Sequence, residues 1–282
     1  GMRRLDSIGM PEGMLKRFRE VLGRSAGMVL VTGPTGSGKT TTLYAALAEI
    51  NAAELKVITV EDPIEYRLAG LSQVQVNEKI ELTFARALRA VLRQDPDVLL
   101  VGEMRDAETA EIGTRAAITG HLVLSTLHTR DAMSTPFRLL DMGVPPFMVS
   151  TSLQAVIAQR LVRLNCRECV GPHTLSPQEK AWLESMVPDG ETVTPKRGIG
   201  CSACNGTGYS GRQGVYELLE MDAELTQAAS RSDPASFMRA ARERMKGHTM
   251  AFHALELVRS GRTSLAEALR VGFDVGDADV PD

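Results

Sequence analysis

Short apolar runs alternate with amphipathic helical patterns over the first 160 residues. Apolar positions three and four apart predict helices, and short apolar runs bounded by polar residues predict strands. We predict strands at residues 27–32, 55–60, 73–76, 97–101 and 121–126. We predict helices at residues 10–22, 41–50, 84–92 and 107–118, with a further helix starting at Asp131. This alternation favours a parallel sheet with right-handed crossovers, so the predicted fold class is α/β.

The pattern changes beyond about residue 159. One short helix is predicted at residues 177–186, between two cysteine pairs, and a helical tail at residues 234–245, 250–258 and from Thr263 onward. We therefore predict three segments: an α/β core with its leading helix at residues 1–160, a four-cysteine module at 161–216 and a helical subdomain at 217–282. A loose polar end is expected after Phe273.

Composition narrows the class of protein. The 282 residues are 43% hydrophobic and 24% charged, as in a soluble globular protein. A net charge of −3 argues against a general nucleic-acid surface. No apolar run approaches the roughly 18 residues that span a membrane, and no signal peptide pattern opens the chain. We expect Gly1 before Met2 to be a tag remnant, so that the natural protein begins earlier.

A glycine-rich segment that satisfies G-x-x-x-x-G-K-[ST] follows the first predicted strand: Gly33, Pro34, Thr35, Gly36, Ser37, Gly38, Lys39, Thr40 and Thr41. A strand before it and a helix after it are the context of a phosphate-binding loop. Glycines let successive N–H groups turn towards one anion, and the helix start adds its positive dipole end. Lys39 would reach the β- and γ-phosphates, and the Thr40 hydroxyl would bind Mg²⁺. The segment predicts binding of a nucleoside triphosphate.

Acidic and histidine side chains fall at the carboxyl ends of other predicted strands: Glu61, Asp62, Glu65, Glu103 and His128. Ligands bind at that edge of an open parallel sheet. Many ATPases carry an Asp-Glu pair after the third strand, but here Gly102 takes the Asp position and Glu103 stands alone. A carboxylate beside Mg²⁺ is a poor base, so a second is needed. We choose Glu65 to activate water, with Glu61 as the alternative.

The other polar residues at this edge have simpler interpretations. Asp62 more readily fixes the turn, and solvation alone would explain either Glu61 or Asp62 in a loop. His128 is either a sensor of the γ-phosphate or a loop histidine with local partners, and its position favours the sensor. His121, at a strand start, is more typical of a structural residue.

The cysteines form two C-x-x-C pairs, Cys166 with Cys169 and Cys201 with Cys204. Two such knuckles can place four thiolates around one tetrahedral Zn²⁺. The insert between the pairs is longer than in common zinc ribbons, and four free thiols or a redox pair remain alternatives. Without a secretory signal, we favour a zinc site over disulfides.

Taken together, residues 33–41, 58–65, 92–106 and 119–129 resemble the Walker A, Asp, Walker B and His boxes of one family. It is the secretion ATPase family of type II secretion and type IV pilus machines (GspE/PilB-like). The similarity continues through the cysteine pairs and residues 206–212. The resemblance implies a RecA-like P-loop NTPase domain with a zinc module and a small C-terminal helical subdomain. Gly102 in place of Asp agrees with the family pattern.

The resemblance also implies roles. It assigns Lys39 and Thr40 to phosphate and Mg²⁺, Glu65 to water activation and Glu103 to the metal shell. It assigns His121 and His128 to the His box. The implied cofactors are ATP, Mg²⁺ and Zn²⁺. The zinc module is typical of the assembly branch of the family and absent from the pilus-retraction branch.

Family members act as homohexamers on the cytoplasmic face of the bacterial inner membrane, where they push a platform protein. They carry an upstream domain that supplies arginines to the site, and only 32 residues precede Gly33 here. We therefore expect this stretch alone to be a monomer or weak oligomer with slow turnover. Two rival hypotheses are a RecA-like ATPase acting on nucleic acid and a zinc-stabilised docking module that binds nucleotide without turnover. The first would need a basic groove with stacking aromatics, but aromatic residues are only 4% of the chain.

Overall fold

A computed structural model describes residues 3–51, 54–231 and 233–272. Its helices are α1 Glu12–Leu22, α2 Lys39–Asn51, α3 Phe84–Leu92, α4 Ala107–Ile118, α5 Thr135–Asp141, α6 Pro146–Ser152, α7 Pro177–Met186, α8 Ala223–Ser230, α9 Pro234–Met245, α10 Met250–Arg259 and α11 Leu265–Gly272. Its strands are β1 Gly27–Thr32, β2 Val57–Glu61, β3 Ser72–Gln75, β4 Val98–Val101, β5 Leu122–Leu127, β6 Leu153–Asn165, β7 Val170–Pro172, β8 Lys196–Gly198 and β9 Tyr209–Glu220. The predicted polar end after Phe273 lies outside the described residues.

The main sheet has the strand order β3-β2-β4-β5-β1-β6-β9. Parallel pairing joins β3 to β2, β2 to β4, β4 to β5, β5 to β1 and β1 to β6. Every residue of β1, β2, β4 and β5 is buried, as expected for a parallel sheet covered on both faces. The α/β fold is confirmed, and the carboxyl ends of these strands share one edge.

Most predicted elements of the core form where local pattern and capping agree. Strand β1 has its predicted bounds. The Thr83 hydroxyl accepts the Arg86 N–H at 3.2 Å, and the Asp106 carboxylate accepts the Thr109 N–H at 2.8 Å, so α3 and α4 have the predicted N-caps. Helix α5 does not begin at Asp131. The Asp131 carboxylate instead accepts the Ser134 N–H at 2.9 Å in a turn. The helix starts four residues after Asp131, at Thr135.

The chain forms two compact units. The first comprises Gly1–Ala158 and Leu218–Lys246, and the second comprises Gln159–Glu217 and Gly247–Asp282. Helices α8 and α9 therefore fall in the first unit, and α7, α10 and α11 fall in the second. The three functional segments remain a prediction. Among the described residues, no helix combines the length and the apolar character needed to cross a bilayer.

Candidate functional site

The glycine loop leaves the carboxyl end of β1 and runs directly into α2. Gly36 and Gly38 have φ angles of 80° and 88°, a region that glycine adopts without Cβ strain. Inside the loop, the Ser37 N–H donates to the Pro34 carbonyl at 3.2 Å. Helix α2 starts at Lys39, two residues earlier than predicted, so Lys39 and Thr40 form its first turn. The positive end of a helix therefore lies at the loop.

A chain of hydrogen bonds links the loop to the neighbouring strands. The Lys39 ammonium donates to the Gly33 carbonyl at 2.7 Å and lies 3.1 Å from Nδ1 of His128. Nε2 of His128 lies 2.6 Å from Oε1 of Glu103. Because an ammonium can only donate, Nδ1 of His128 is the acceptor, and its proton sits on Nε2 facing Glu103. The structure thus brings three of the predicted site residues together.

Glu103 lies just beyond β4, between two basic partners. Its second oxygen accepts from Arg105, whose guanidinium is also 3.8 Å from Asp62. Partial burial acts to raise the pKa of Glu103, but the hydrogen bond and charge of Arg105, together with the hydrogen bond from His128, outweigh it and hold this pKa below its ordinary range. Glu103 is therefore an anion at neutral pH.

The neighbouring Gly102 explains why Glu103 stands alone. A Cβ at Gly102 would lie 3.3 Å from the Val60 carbonyl oxygen and 3.4 Å from Cα of Glu61. The Gly102 N–H donates to that carbonyl at 2.8 Å, so the two strand ends approach closely. This contact leaves little room for the Asp side chain that many ATPases carry here.

The two candidate bases, Glu61 at the end of β2 and Glu65 beyond it, have different environments. Glu61 is only 4% exposed and accepts from Thr59 at 2.7 Å, from Gln73 at 3.2 Å and from Tyr44. Glu65 is exposed. The burial of Glu61 favours Glu65 as the carboxylate that can meet a water molecule, which stays a prediction.

Sequence reasoning assigned no role to two residues of the site, Arg105 and Tyr44. Arg105 stands two positions after Glu103 in the Walker B segment, and this spacing was its only signal. Tyr44 lies five positions after Lys39, and nothing in the pattern of α2 marks it. Nδ1 of His121 lies 2.9 Å from the Ala116 carbonyl, which fits a structural histidine.

The four cysteines converge in the second unit. Their Sγ atoms all lie within 4.8 Å of one another. Three Sγ–Sγ distances are 3.8, 3.9 and 3.8 Å, for the pairs Cys166–Cys201, Cys169–Cys204 and Cys201–Cys204. Tetrahedral Zn–S bonds of about 2.3 Å give sulfur–sulfur edges of about 3.8 Å. The cluster has the dimensions of a four-thiolate zinc site.

Backbone amides support the sulfur atoms. The N–H groups of Cys201 and Gly208 donate to Sγ of Cys204, each at 3.2 Å, and the Gly200 N–H donates to Sγ of Cys169 at 3.3 Å. The Cys201 and Gly208 N–H groups hold the pKa of the Cys204 thiol below its ordinary value, although desolvation opposes them. Desolvation, by contrast, raises the pKa of the Cys169 thiol, so the argument for a metal rests on the spacing of the four sulfur atoms. The donor set therefore fits a structural metal ion.

Comparison with known proteins agrees with this arrangement. Residues 2–270 match the type II/IV secretion system protein family. The chain belongs to this family. It is 48% identical over 270 residues to the type II secretion system protein E of Aeromonas hydrophila, covering 95% of this chain and 53% of that protein. The family resemblance inferred from the four boxes is thus confirmed.

A pilus protein and a solved structure extend the comparison. This secretion-family chain is 44% identical over 267 residues to the type IV pilus assembly ATPase PilB of Myxococcus xanthus, covering 94% of this chain and 47% of PilB. The crystal structure of the pilus retraction motor PilT with bound ADP has a TM-score of 0.71 at 30% identity, covering 99% of this chain and 69% of PilT. The chain spans about half the length of the curated relatives it matches.

Proposed function

We propose that this secretion-family chain binds and hydrolyses ATP as part of the motor of a type II secretion or type IV pilus assembly machine. The observation that carries the proposal is the convergence of Lys39, His128 and Glu103 beside the glycine loop, at the carboxyl edge of the sheet. Phosphoryl transfer needs cations and donors around the phosphates and a carboxylate near the metal. PilB is an ATPase and the PilT crystal structure contains ADP, which supports a nucleotide at this edge.

Each residue of the site has a proposed role. Residues 33–41 hold the phosphates through backbone N–H groups, and Lys39 turns from its present partners towards the β- and γ-phosphates. Thr40 and Glu103 hold Mg²⁺, which when bound neutralises phosphate charge. His128 donates from Nε2 to Glu103. Through its contact with Lys39, it senses whether a γ-phosphate is present. Glu65 accepts the proton of the attacking water.

The four cysteines are proposed to hold one structural Zn²⁺. Their sulfur spacing and three N–H···S contacts support it. Such a metal stabilises the knuckles that carry its ligands. We assign it no part in ATP chemistry.

The assembly of the whole protein is also a proposal. Its relatives are named for type II secretion and type IV pilus assembly, which supports a motor that works with an inner-membrane platform protein. We propose a homohexamer for the full-length protein, on the cytoplasmic side of the inner membrane. Nucleic acid is not a proposed partner.

Two substitutions test the proposal directly. Lys39→Ala should weaken nucleotide binding and abolish phosphate release. Glu65→Gln should keep ATP binding and lower turnover by about 100-fold or more, because an amide cannot accept the water's proton. Isothermal titration with ADP and a phosphate-release assay measure the two effects.

The exposed Glu184 of α7 provides a matched control, and Glu184→Gln should leave both quantities unchanged. Normal turnover by Glu65→Gln would refute the assignment of the base. Turnover that rises severalfold on addition of single-stranded DNA would favour the nucleic-acid-dependent ATPase instead.

A further inference from the structure

Hydrogen bonds to side chains, rather than the regular backbone hydrogen bonds of paired strands, hold the segment that carries Glu65. This segment, residues 62–71, joins β2 to the edge strand β3. The Gln73 side chain binds it twice: Oε1 accepts the Leu68 N–H at 2.8 Å, and Nε2 donates to the Tyr66 carbonyl at 3.2 Å. Oε1 of Gln75 accepts the Ile64 N–H at 3.2 Å. Both glutamines belong to β3, so they fix the segment to the sheet.

A further bond comes from the helix of the phosphate-binding loop. The Glu65 N–H donates to the Tyr44 hydroxyl at 3.3 Å. Tyr44 lies on α2, four residues after Thr40, and its side chain is fully buried at 1% exposure. Its ring also meets the Tyr66 ring edge to face, with centroids 4.8 Å apart. Tyr44 therefore joins the helix that begins at Lys39 to the backbone of Glu65.

The Tyr44 hydroxyl is itself fixed by Glu61. It donates to Oε1 of Glu61, while Thr59 and Gln73 donate to Oε2 at 2.7 and 3.2 Å. Burial, followed by the hydrogen bond and charge of Glu61, raises the pKa of Tyr44 above its ordinary value. The phenol thus keeps its proton for Glu61 and offers a lone pair to Glu65. Gln73 contacts both Glu61 and residues 62–71, which closes the network.

We infer that Tyr44 and Glu61 are positioning residues that set the backbone of Glu65 relative to the helix carrying Lys39 and Thr40. The inference rests on the proposed function, because it takes Glu65 as the base. Phosphate would be held at the first turn of α2, and the attacking water by a carboxylate on a separate segment. The Tyr44 hydroxyl links these two parts through one buried atom. An error of about 1 Å in such a placement can lower a rate about 100-fold.

The test is Tyr44→Phe, which removes the hydroxyl and keeps the ring. We expect kcat to fall about 10- to 100-fold while KM and the ADP dissociation constant change by less than about threefold, since the phosphate loop is untouched. Glu61→Gln keeps a carbonyl acceptor for the tyrosine and should lower kcat less than Glu61→Ala. These two variants keep the test informative if Tyr44→Phe folds poorly.

The control is Tyr209→Phe in the second unit. It also deletes a buried tyrosine hydroxyl, one that lies 2.6 Å from the Ser264 hydroxyl. It should lower the melting temperature by a few degrees and leave kcat unchanged. Equal loss of kcat in both variants would show that Tyr44 acts only through general stability, and would overturn the inference.

Two further measurements separate this inference from the proposed function. In a Glu65→Gln background, adding Tyr44→Phe should cause no further loss of turnover, because both changes act through one carboxylate. Amide hydrogen exchange of residues 62–71 should speed up in Tyr44→Phe and not in Tyr209→Phe, whether or not the chain hydrolyses ATP. Unchanged exchange, or full additivity with Glu65→Gln, would refute the positioning role. Normal turnover by Glu65→Gln with faster exchange in Tyr44→Phe would instead refute the assignment of the base.

Discussion

At the scale of single residues, glycines decide how closely the cysteine knuckles approach. A Cβ placed on Gly198 would lie 2.1 Å from the Gly208 carbonyl oxygen, far inside any real contact. That oxygen accepts the Cys166 N–H at 2.9 Å, and the Gly208 N–H donates to Sγ of Cys204 at 3.2 Å. Backbone-to-backbone contact at Gly198 therefore supports two of the four sulfur ligands.

We predict that Gly198→Ala destabilises the second unit by about 1–3 kcal/mol, the usual cost of overpacking, and weakens its metal binding. The added methyl group must push Gly208 away from both cysteines. Chemical denaturation and zinc transfer to a chromophoric chelator measure the two effects. Gly171→Ala is the matched control in the paired strand β7, because a Cβ there meets nothing within 4 Å. Equal stability of the two variants would contradict the prediction.

At the scale of elements, a half-buried histidine joins β9 to α10. Nδ1 of His253 accepts the Tyr216 N–H at 2.9 Å, so the neutral ring carries its proton on Nε2. Burial lowers the pKa of His253 from 6.5 to about 4. The contact requires the neutral form, since a protonated Nδ1 cannot accept.

This contact predicts that stability falls as the pH falls. Between pH 6.5 and about 4 the unfolded chain takes up a proton at position 253 that the folded chain does not, so unfolding becomes easier at lower pH. The full effect approaches about 3 kcal/mol, at roughly 1.4 kcal/mol per pKa unit. Urea unfolding should show that the free energy of unfolding is lower at pH 5 than at pH 7. This decrease should be smaller in His253→Gln than in the unaltered protein. His248→Gln, which alters an exposed histidine, should keep the full pH dependence. The same pH dependence of stability in His253→Gln and in the unaltered protein would contradict this account.

At the scale of the whole molecule, the two candidate sites belong to different compact units. The glycine loop, Glu103 and His128 lie in the first unit, and all four cysteines lie in the second. Each unit has its own buried core, with Phe18 and Leu47 in the first and Leu255 and Leu265 in the second. Loss of the metal should therefore affect the second unit first.

Cys201→Ser tests this expectation, because a serine hydroxyl is a poor zinc ligand. We predict that residues 164–216 become sensitive to protease while ADP still binds at Lys39. Elemental analysis of the unaltered protein, purified without chelators, should give one zinc per chain. The control variant Ser202→Ala should give the same value. That control alters an exposed residue between the ligands. Finding no metal in the unaltered protein, or no change in cleavage of Cys201→Ser, would count against a structural zinc.

The sequence by itself determined the elements whose signals are local. Helix α7 has its predicted bounds because Ser176 and Glu179 form a capping box, and α9 has its predicted bounds with Asp233 as N-cap. The apolar runs located β1, β4 and β5, and the glycine loop and cysteine pairs were legible as motifs. Burial of apolar residues and caps within one helical turn require no distant partner.

Only the tertiary structure decided the remaining features. Strands β6 and β9 were missed because Gln159 and Arg160 interrupt one apolar run and glycines interrupt the other, yet both strands complete the sheet. The sequence left Glu61 as an alternative base to Glu65, but Tyr44 and Gln73 bury Glu61, whereas Glu65 is exposed. The Lys39–His128–Glu103 chain spans 89 residues. Such features depend on partners far apart in sequence, whose contacts exist only once the sheet has formed.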